Sequence, residues 1–357
     1  MELSTTAGVL STGTSSPEMS TPGIISILTP IQRVILTSIM IFICIVGVLG
    51  NIIVISAVIL SKKLRCVTNI FVVSLAVADL MTCLNIPWMA VATLSEAGWI
   101  LPDWICTACG FVLMVCIGSS IYTLACVATI RSVVITGLPG RCRTLYTPPK
   151  ICAILILIWT VPLAVATIPL VSNFGKLGYD FKYSSCTWDT SNPNSGNFSK
   201  LISGVFYPLP FIIITYSYFK IYRHVRRHSR AVAPILSISS SVAVRPSENR
   251  PNATGENIAM NPNNNSRDHR TGNSFRERLN KRQVDVTKNM FYIVCAFVLC
   301  ISPFGFCLMY DASDPFVPYA GMFLFGNSCI NPFIYATKHP DFKKVIRLML
   351  TCKFSKI

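Results

Sequence analysis

The sequence predicts an all-α membrane protein: a bundle of seven membrane-spanning helices, followed by a short amphipathic cytoplasmic helix. Three observations lead there. Of the 357 residues, 52% are hydrophobic and only 13% charged, well below the ~25% charged share of a soluble domain. The apolar residues gather into seven runs of about 20 residues or more, each enough to cross ~30 Å of hydrocarbon as a helix. The basic residues are also asymmetric. With the N-terminus outside, only Arg33, Lys176, Lys182 and Lys200 of 31 Lys and Arg lie on the outer side. That bias sets a multi-pass topology with the N-terminus outside and the C-terminus cytoplasmic. The short inner loops carry it unaided, through Lys62, Lys63 and Arg65, then Arg141, Arg143 and Lys150. The formal charge of +16 is therefore a topology signal, strengthened by anionic lipid. No nucleic-acid partner is expected.

Residues 1–33 read as a disordered extracellular tail, dominated by Ser, Thr, Pro and Gly. No charged start leads into a short apolar core, so no cleaved signal peptide is expected. The first span, Val34–Leu60, then serves as signal anchor. It carries Gly50-Asn51, and a lone Asn among apolar residues most often bonds helix to helix. The second span, Asn69–Leu94, contains the chain's organising stretch, Leu75-Ala76-Val77-Ala78-Asp79-Leu80. A carboxylate at mid-membrane is expensive unless polar groups meet it, so Asp79 is a functional residue by default. Pro87 interrupts the outer third of this span, and Trp88 and Trp99 mark the outer interface.

The third span, Cys106–Ile135, ends in Arg131, which by itself reads as a snorkelling interfacial cation. The fourth, Ile151–Val171, holds Trp159 and Pro162. The long second outer loop, Ser172 to Lys200, includes Cys186 and the sequon Asn197-Phe198-Ser199, an outside loop position suited to a glycan. Sequons at Asn252 and Asn264 fall on the cytoplasmic side and are expected to be unmodified. Of fifteen cysteines, most lie within spans as small apolar residues. Cys106, Cys109, Cys186 and Cys307 lie near the outer face, where a disulfide persists. Counting alone forces no pairing.

The fifth span, Leu201–Tyr222, runs into a basic helical extension from Lys220 to Arg230. Residues 231–280 are rich in Asn, Ser, Pro and Arg and read as a flexible loop. The sixth span is Thr287–Tyr310 and the seventh Phe316–Ala336. After it, Phe342, Val345, Ile346 and Met349 oppose Lys343, Lys344 and Arg347, as in a helix lying on the inner leaflet. This membrane domain covers 34–350. The tail 351–357 holds Cys352, a palmitoylation candidate.

Taken together, these marks resemble the rhodopsin-like (class A) family of G-protein-coupled receptors over about residues 34–350. The family pattern appears in order on every span: Gly50-Asn51; LAVAD with Asp79; Cys106, 25 residues before Arg131; Trp159; Pro210, eight before Tyr218; Phe297, Cys300 and Pro303; and Asn331-Pro332-Phe333-Ile334-Tyr335. Lys62-Lys63-Leu64-Arg65, Asn69 to Ser74 and LAVADL look most like the melatonin-receptor branch and its invertebrate relatives.

The resemblance implies a receptor, not an enzyme, that passes extracellular ligand binding to a heterotrimeric G protein, with arrestin a further partner. It implies a Cys106–Cys186 disulfide. It groups Asn51, Asp79, Ser120, Asn327, Ser328 and Asn331 as a mid-membrane polar core with a place for Na+; no other cofactor is required. Helical spacing agrees, since Asn327, Asn331 and Tyr335 are four apart and share a face. It assigns Arg131, Tyr218, Phe297, Pro303 and Tyr335 to activation and G-protein contact. It makes Leu113, Met114, Ile117, Phe206, Phe304, Leu308 and Phe325 the pocket, an apolar lining suited to a neutral, lipid-like or peptide ligand.

Three departures bear on function. The arginine motif reads Ile130-Arg131-Ser132, without the usual neighbouring acid, and Gln283 stands where span six often carries one, Asp285 being the nearest carboxylate. A weak inactive-state latch and raised basal activity are expected. Ile301 replaces the tryptophan usual two before the span-six proline. Leu113 stands where amine receptors carry Asp, and Phe325 where retinal proteins carry Lys. Phe206 replaces the histidine of melatonin receptors, which argues against melatonin itself. The rival readings are a transporter or channel, a receptor that no longer couples, and an intramembrane enzyme. Against transport stand the lack of an internal repeat and the single intramembrane acid. Against an enzyme, His224, His228, His269 and His339 all lie outside the spans.

Overall fold

A computed structural model describes residues 26–137, 147–242 and 291–353. Expectations for Arg141, Arg143, Asn252, Asn264, Gln283 and Asp285, for the first 25 residues, and for most of the 231–280 loop lie outside the described residues.

Helix α1 spans Pro30–Leu60. It starts at Pro30, not Val34, because Thr29-Pro30-Ile31-Gln32 is a complete start signal. The Thr29 hydroxyl accepts from the Gln32 amide at 3.4 Å, and the Gln32 side chain accepts from the Thr29 amide at 2.9 Å. Proline at the first helical position gives up no bond. Leu36, Met40, Ile43, Gly47, Asn51 and Val54 face inward, while Phe42, Ile45 and Leu49 remain exposed. That three-and-four spacing separates a bundle face from a lipid face. Helices α2 (Val67–Leu94), α3 (Asp103–Thr136) and α4 (Pro148–Val171) follow.

The second outer loop has secondary structure of its own. It forms a hairpin of β1 (Leu177–Asp180) and β2 (Ser185–Trp188), antiparallel, with Tyr179 opposite Cys186. The buried Asp180 carboxylate organises the turn, accepting from the Tyr183 amide at 2.9 Å and the Thr190 amide at 2.7 Å. Cys186 is disulfide-bonded to Cys106 at the outer end of α3. Gly110, one turn further down, lets the hairpin dock: a Cβ there would lie 2.7 Å from the Thr187 carbonyl.

The fifth span arrives as two helices, α5 (Ser195–Phe206) and α6 (Pro208–Val242). They meet at Tyr207, because Pro208 has no amide to donate and restricts the residue before it. Asn197, expected in a loop, is exposed on α5. At its other end α6 continues through Val242, into the stretch expected as loop. A helix already nucleated in the span extends at little further cost, and it does so here despite Pro234 and the serines that follow it.

Helix α7 is described over Phe291–Cys307. A 3₁₀ segment at Asp311–Phe316 leads into α8 (Val317–Lys338), and α9 (Pro340–Leu350) lies after it. Among the described residues, the first five spans are long and apolar enough by composition to cross a membrane, and α7 is a shorter apolar helix. Helix α8 carries its polar residues inward, with Asn327, Ser328 and Asn331 all buried. In α9, Phe342, Val345 and Ile346 are buried while Lys343, Lys344 and Arg347 are exposed.

Helix α3 is the axis of the bundle, packing against α2, α4, α6 and both strands. Small residues permit close approach, as membrane bundles require. At Gly50 a Cβ would lie 2.8 Å from the Pro332 ring, so α1 and α8 touch there nearly backbone to backbone. Trp159 donates to the Ser74 hydroxyl at 3.1 Å, joining α4 to α2.

Candidate functional site

The candidate side chains lie in three layers through the bundle. The outer layer is a cavity of about 780 Å³ between α1, α2, α3, the hairpin, α5, α7 and α8. Leu113, Phe304, Leu308 and Phe325 line it. A small apolar annex of about 50 Å³ adjoins it, lined by Met114, Ile117 and Phe206 together with Leu113, Phe304 and Leu308. Trp188 on β2 meets the Phe304 ring edge-on at 6.2 Å, bringing the hairpin down over α7.

The hairpin tip is fixed on both sides. Toward α8, Asp314 accepts from the Lys182 ammonium and from the Tyr183 hydroxyl. Burial would raise the Asp314 carboxyl, but these two donors and the Lys182 charge outweigh it and hold the group below its ordinary value. Burial, and then the bond to Asp314, push the Tyr183 hydroxyl well above the ordinary phenol range. Toward α1, the Ile27 amide donates to the Lys182 carbonyl at 3.1 Å, and the Ser26 and Ser184 hydroxyls lie 3.0 Å apart. Arg33, counted from sequence as an outer-tail charge, is buried. It donates to the Thr93 carbonyl at 2.7 Å, the Ser95 carbonyl at 2.9 Å and the Ser26 hydroxyl at 2.8 Å.

The middle layer centres on Asp79, which is 1% exposed. The Asn331 side-chain amide donates to its carboxylate at 2.8 Å, and the Ser328 hydroxyl is a second partner. Asn51 does not bond Asp79 directly. Its amide donates to the Gly47 carbonyl at 2.9 Å and the Ser328 carbonyl at 2.8 Å, tying α1 to α8. The side-chain oxygens of Asn51, Asn327 and Asn331 are buried without a hydrogen-bond partner. Ser120 is buried on α3; one turn earlier, Cys116 bonds Thr82 and feels the Asp79 charge, as do Cys83 and Cys329. Their spacing within the spans does not distinguish them from small apolar residues. A buried carboxylate on α2, with unbonded amide oxygens buried on α1 and α8, supplies the oxygen ligands that a small hard cation takes.

The inner layer holds Arg131, 7% exposed, with Tyr218 of α6 and Tyr335 of α8 within reach of its charge. The Tyr218 ring meets Phe291 at 5.4 Å, and Tyr335 meets Phe342 of α9 at 5.2 Å. Phe297 is fully buried, and Ile301, in place of the usual tryptophan, is 1% exposed. Pro303 lies inside α7, where it removes a ladder bond. Lys63 of the first inner loop pairs with Asp341 at the start of α9, 2.9 Å apart. Cys352 is exposed just beyond α9.

The model of the family described as 7 transmembrane receptor (rhodopsin family) matches residues 50–335. 5-Hydroxytryptamine receptor 4 of Cavia porcellus is 24% identical over 344 residues, covering 90% of this chain and 81% of that protein. Melatonin receptor type 1B-A of Danio rerio is 33% identical over 199 residues, covering 56% of this chain and 67% of that protein. The crystal structure of squid rhodopsin superposes with a TM-score of 0.71 at 20% identity, covering 91% of this chain and 88% of that chain. Adrenergic receptors match over similar lengths. The melatonin branch, favoured by Lys62 to Leu80, is thus one of several, and none stands out. The chain belongs to the rhodopsin family of seven-transmembrane receptors, class A of the G-protein-coupled receptors.

Proposed function

We propose that this receptor takes an extracellular ligand with a largely apolar body, lipid-like or the tip of a peptide, into the cavity over Leu113, Phe304 and Phe325. Ligand binding there biases the packing of α7 and α8, and the change reaches a G protein at the Arg131 face. The observation that carries this reading is the vertical order of the layers. The cavity stands outside, the Asp79–Asn331 pair lies across α2 and α8 in the middle, and Arg131 with Tyr218 and Tyr335 lies inside. Coupling between such sites is typically about 1–3 kcal/mol.

Na+ at Asp79 stabilises the inactive packing in this reading, with the side-chain oxygens of Asn327 and Asn331 as further ligands. The orphaned oxygens support it. Arrestin shares the inner face. Asn197, exposed on α5, carries a glycan, and Cys352 carries a palmitoyl chain that holds α9 to the leaflet. The stretch Lys62 to Leu80 supports a tie to the melatonin branch among the several that match, yet Phe206 keeps melatonin out of the ligand list.

A second reading rests on Ile130-Arg131-Ser132 and Ile301: a receptor that binds ligand without coupling. Nucleotide exchange on a panel of G proteins, first without ligand and then with lipid and peptide libraries, separates the two. Exchange that depends on Arg131 supports coupling; ligand binding without any exchange supports the second reading.

A further inference from the structure

Helix α5 was read from sequence as loop and the start of a span, so its inward face was not weighed. That face repeats every four residues: Ser195, Ser199 and Ser203 form one row, Gly196, Lys200 and Gly204 the next, and all six line the cavity. A Cβ added at Gly196 or Gly204 would meet nothing within 4 Å, so the cavity reaches the helix backbone at both. Ser195 and Ser199 already donate, to the Asp189 carbonyl at 2.5 Å and the Ser195 carbonyl at 3.0 Å. Ser203 does not. It is 5% exposed, lines the cavity, and its hydroxyl has no partner. A buried hydroxyl left unbonded is unfavourable, and a ligand acceptor at this point would recover that loss.

The charges on the cavity wall point the same way. Its side chains charged at neutral pH are Lys182, Lys200 and Asp314. Lys182 and Asp314 neutralise each other across the roof. Lys200 has no carboxylate partner among the described residues and lies one turn before Ser203. A cationic amine entering the cavity finds no unengaged acid, since Leu113 occupies the position from which amine receptors offer one.

We propose that the cavity selects an amphipathic ligand with one anionic, oxygen-rich head, a carboxylate or a phosphate. The head meets Lys200 and the Ser203 hydroxyl on α5, and the apolar body lies along Leu113, Phe304 and Phe325. This rests on the receptor reading for the location of the site, adds an acidic head to the largely apolar ligand proposed there, and departs from the neutral ligand expected from the sequence. Charge-assisted bonds to Lys200 supply the preference.

The test uses the full chain purified into nanodiscs, with thermal unfolding followed against four probes of one chain length: oleate, oleoyl lysophosphatidate, oleyl alcohol and oleylamine. The expected result is a saturable rise in midpoint with oleate, lysophosphatidate or both, and none with the alcohol or amine. A response to one of the two acids identifies the head as carboxylate or phosphate. Lys200→Gln weakens the response tenfold or more at unchanged basal midpoint, and Gly204→Leu, which fills open space, abolishes it. Equal stabilisation by the alcohol, a larger effect of the amine, no response to either acid, or an unaltered response in Lys200→Gln overturns the proposal. Because the readout needs no G protein, binding without nucleotide exchange sinks only the coupling, and exchange without acid binding sinks only this inference.

Discussion

The Asn331 side-chain amide donates to the Asp79 carboxylate across 2.8 Å, joining α2 to α8 at the centre of the bundle. That bond opposes the cost of a carboxylate at 1% exposure in a membrane protein. Asn331→Ala leaves the carboxylate with one donor fewer, and unfolding of the purified chain should come earlier by about 1–3 kcal/mol. Asp79→Asn removes the charge itself. The native chain should be stabilised when NaCl replaces choline chloride at equal ionic strength, and Asp79→Asn should not. Equal salt responses in the two proteins would remove Na+ from the account.

The hairpin hangs on Cys106–Cys186, with a Cα separation of 5.0 Å. Cys106→Ser should lower stability by about 2–4 kcal/mol. It should also expose the tip at Lys182 and Tyr183 to limited proteolysis before the helices unfold. Simultaneous loss of hairpin and helices would mean that the roof contacts alone hold it.

The Lys182–Asp314–Tyr183 roof carries the pH dependence. The Asp314 carboxyl is held below its unfolded value, so its contribution is complete above about pH 4 and is lost as pH falls through the folded value. The Tyr183 hydroxyl is raised, so its contribution is complete below about pH 10 and fades as pH rises above that. Hydrogen-exchange protection factors at the tip amides, corrected for intrinsic rates, should therefore be highest between these limits and fall on either side. Asp314→Asn should flatten the acid limb and leave the helical amides unchanged.

At Gly50, a Cβ would fall 2.8 Å from the Pro332 ring. Gly50→Val should push α1 from α8 and cost about 1–3 kcal/mol as overpacking does. Gly204→Leu, into open space, should leave stability near the native value. Comparing the two thermal midpoints separates a packing contact from a cavity wall.

Much of this arrangement was legible in the chain. Asp79 announced itself as a solitary acid in an apolar run, and Asn327, Asn331 and Tyr335 shared a face by spacing alone. Pro303 and Pro332 fixed where helix ladders break. The outer half was harder. Asp180 orders the second loop through bonds to backbone amides at Tyr183 and Thr190, a long-range arrangement with no composition signature. Arg33 looked like a solvated charge because its partners, the Thr93 and Ser95 carbonyls, come from the far end of another helix. The Ser195, Ser199, Ser203 row was visible as a period of four. It went unread because Ser and Gly, poor helix formers, argued for loop.

The measurement that bears most directly on the central claim is ligand-free nucleotide exchange on G protein reconstituted with this receptor. Ile130-Arg131-Ser132 has no acid beside the arginine, where the family resemblance leads one to expect a restraining one, so the native chain should exchange above an Arg131→Ala control matched for surface expression. Exchange no higher than that control, across every G-protein class tried, would contradict it.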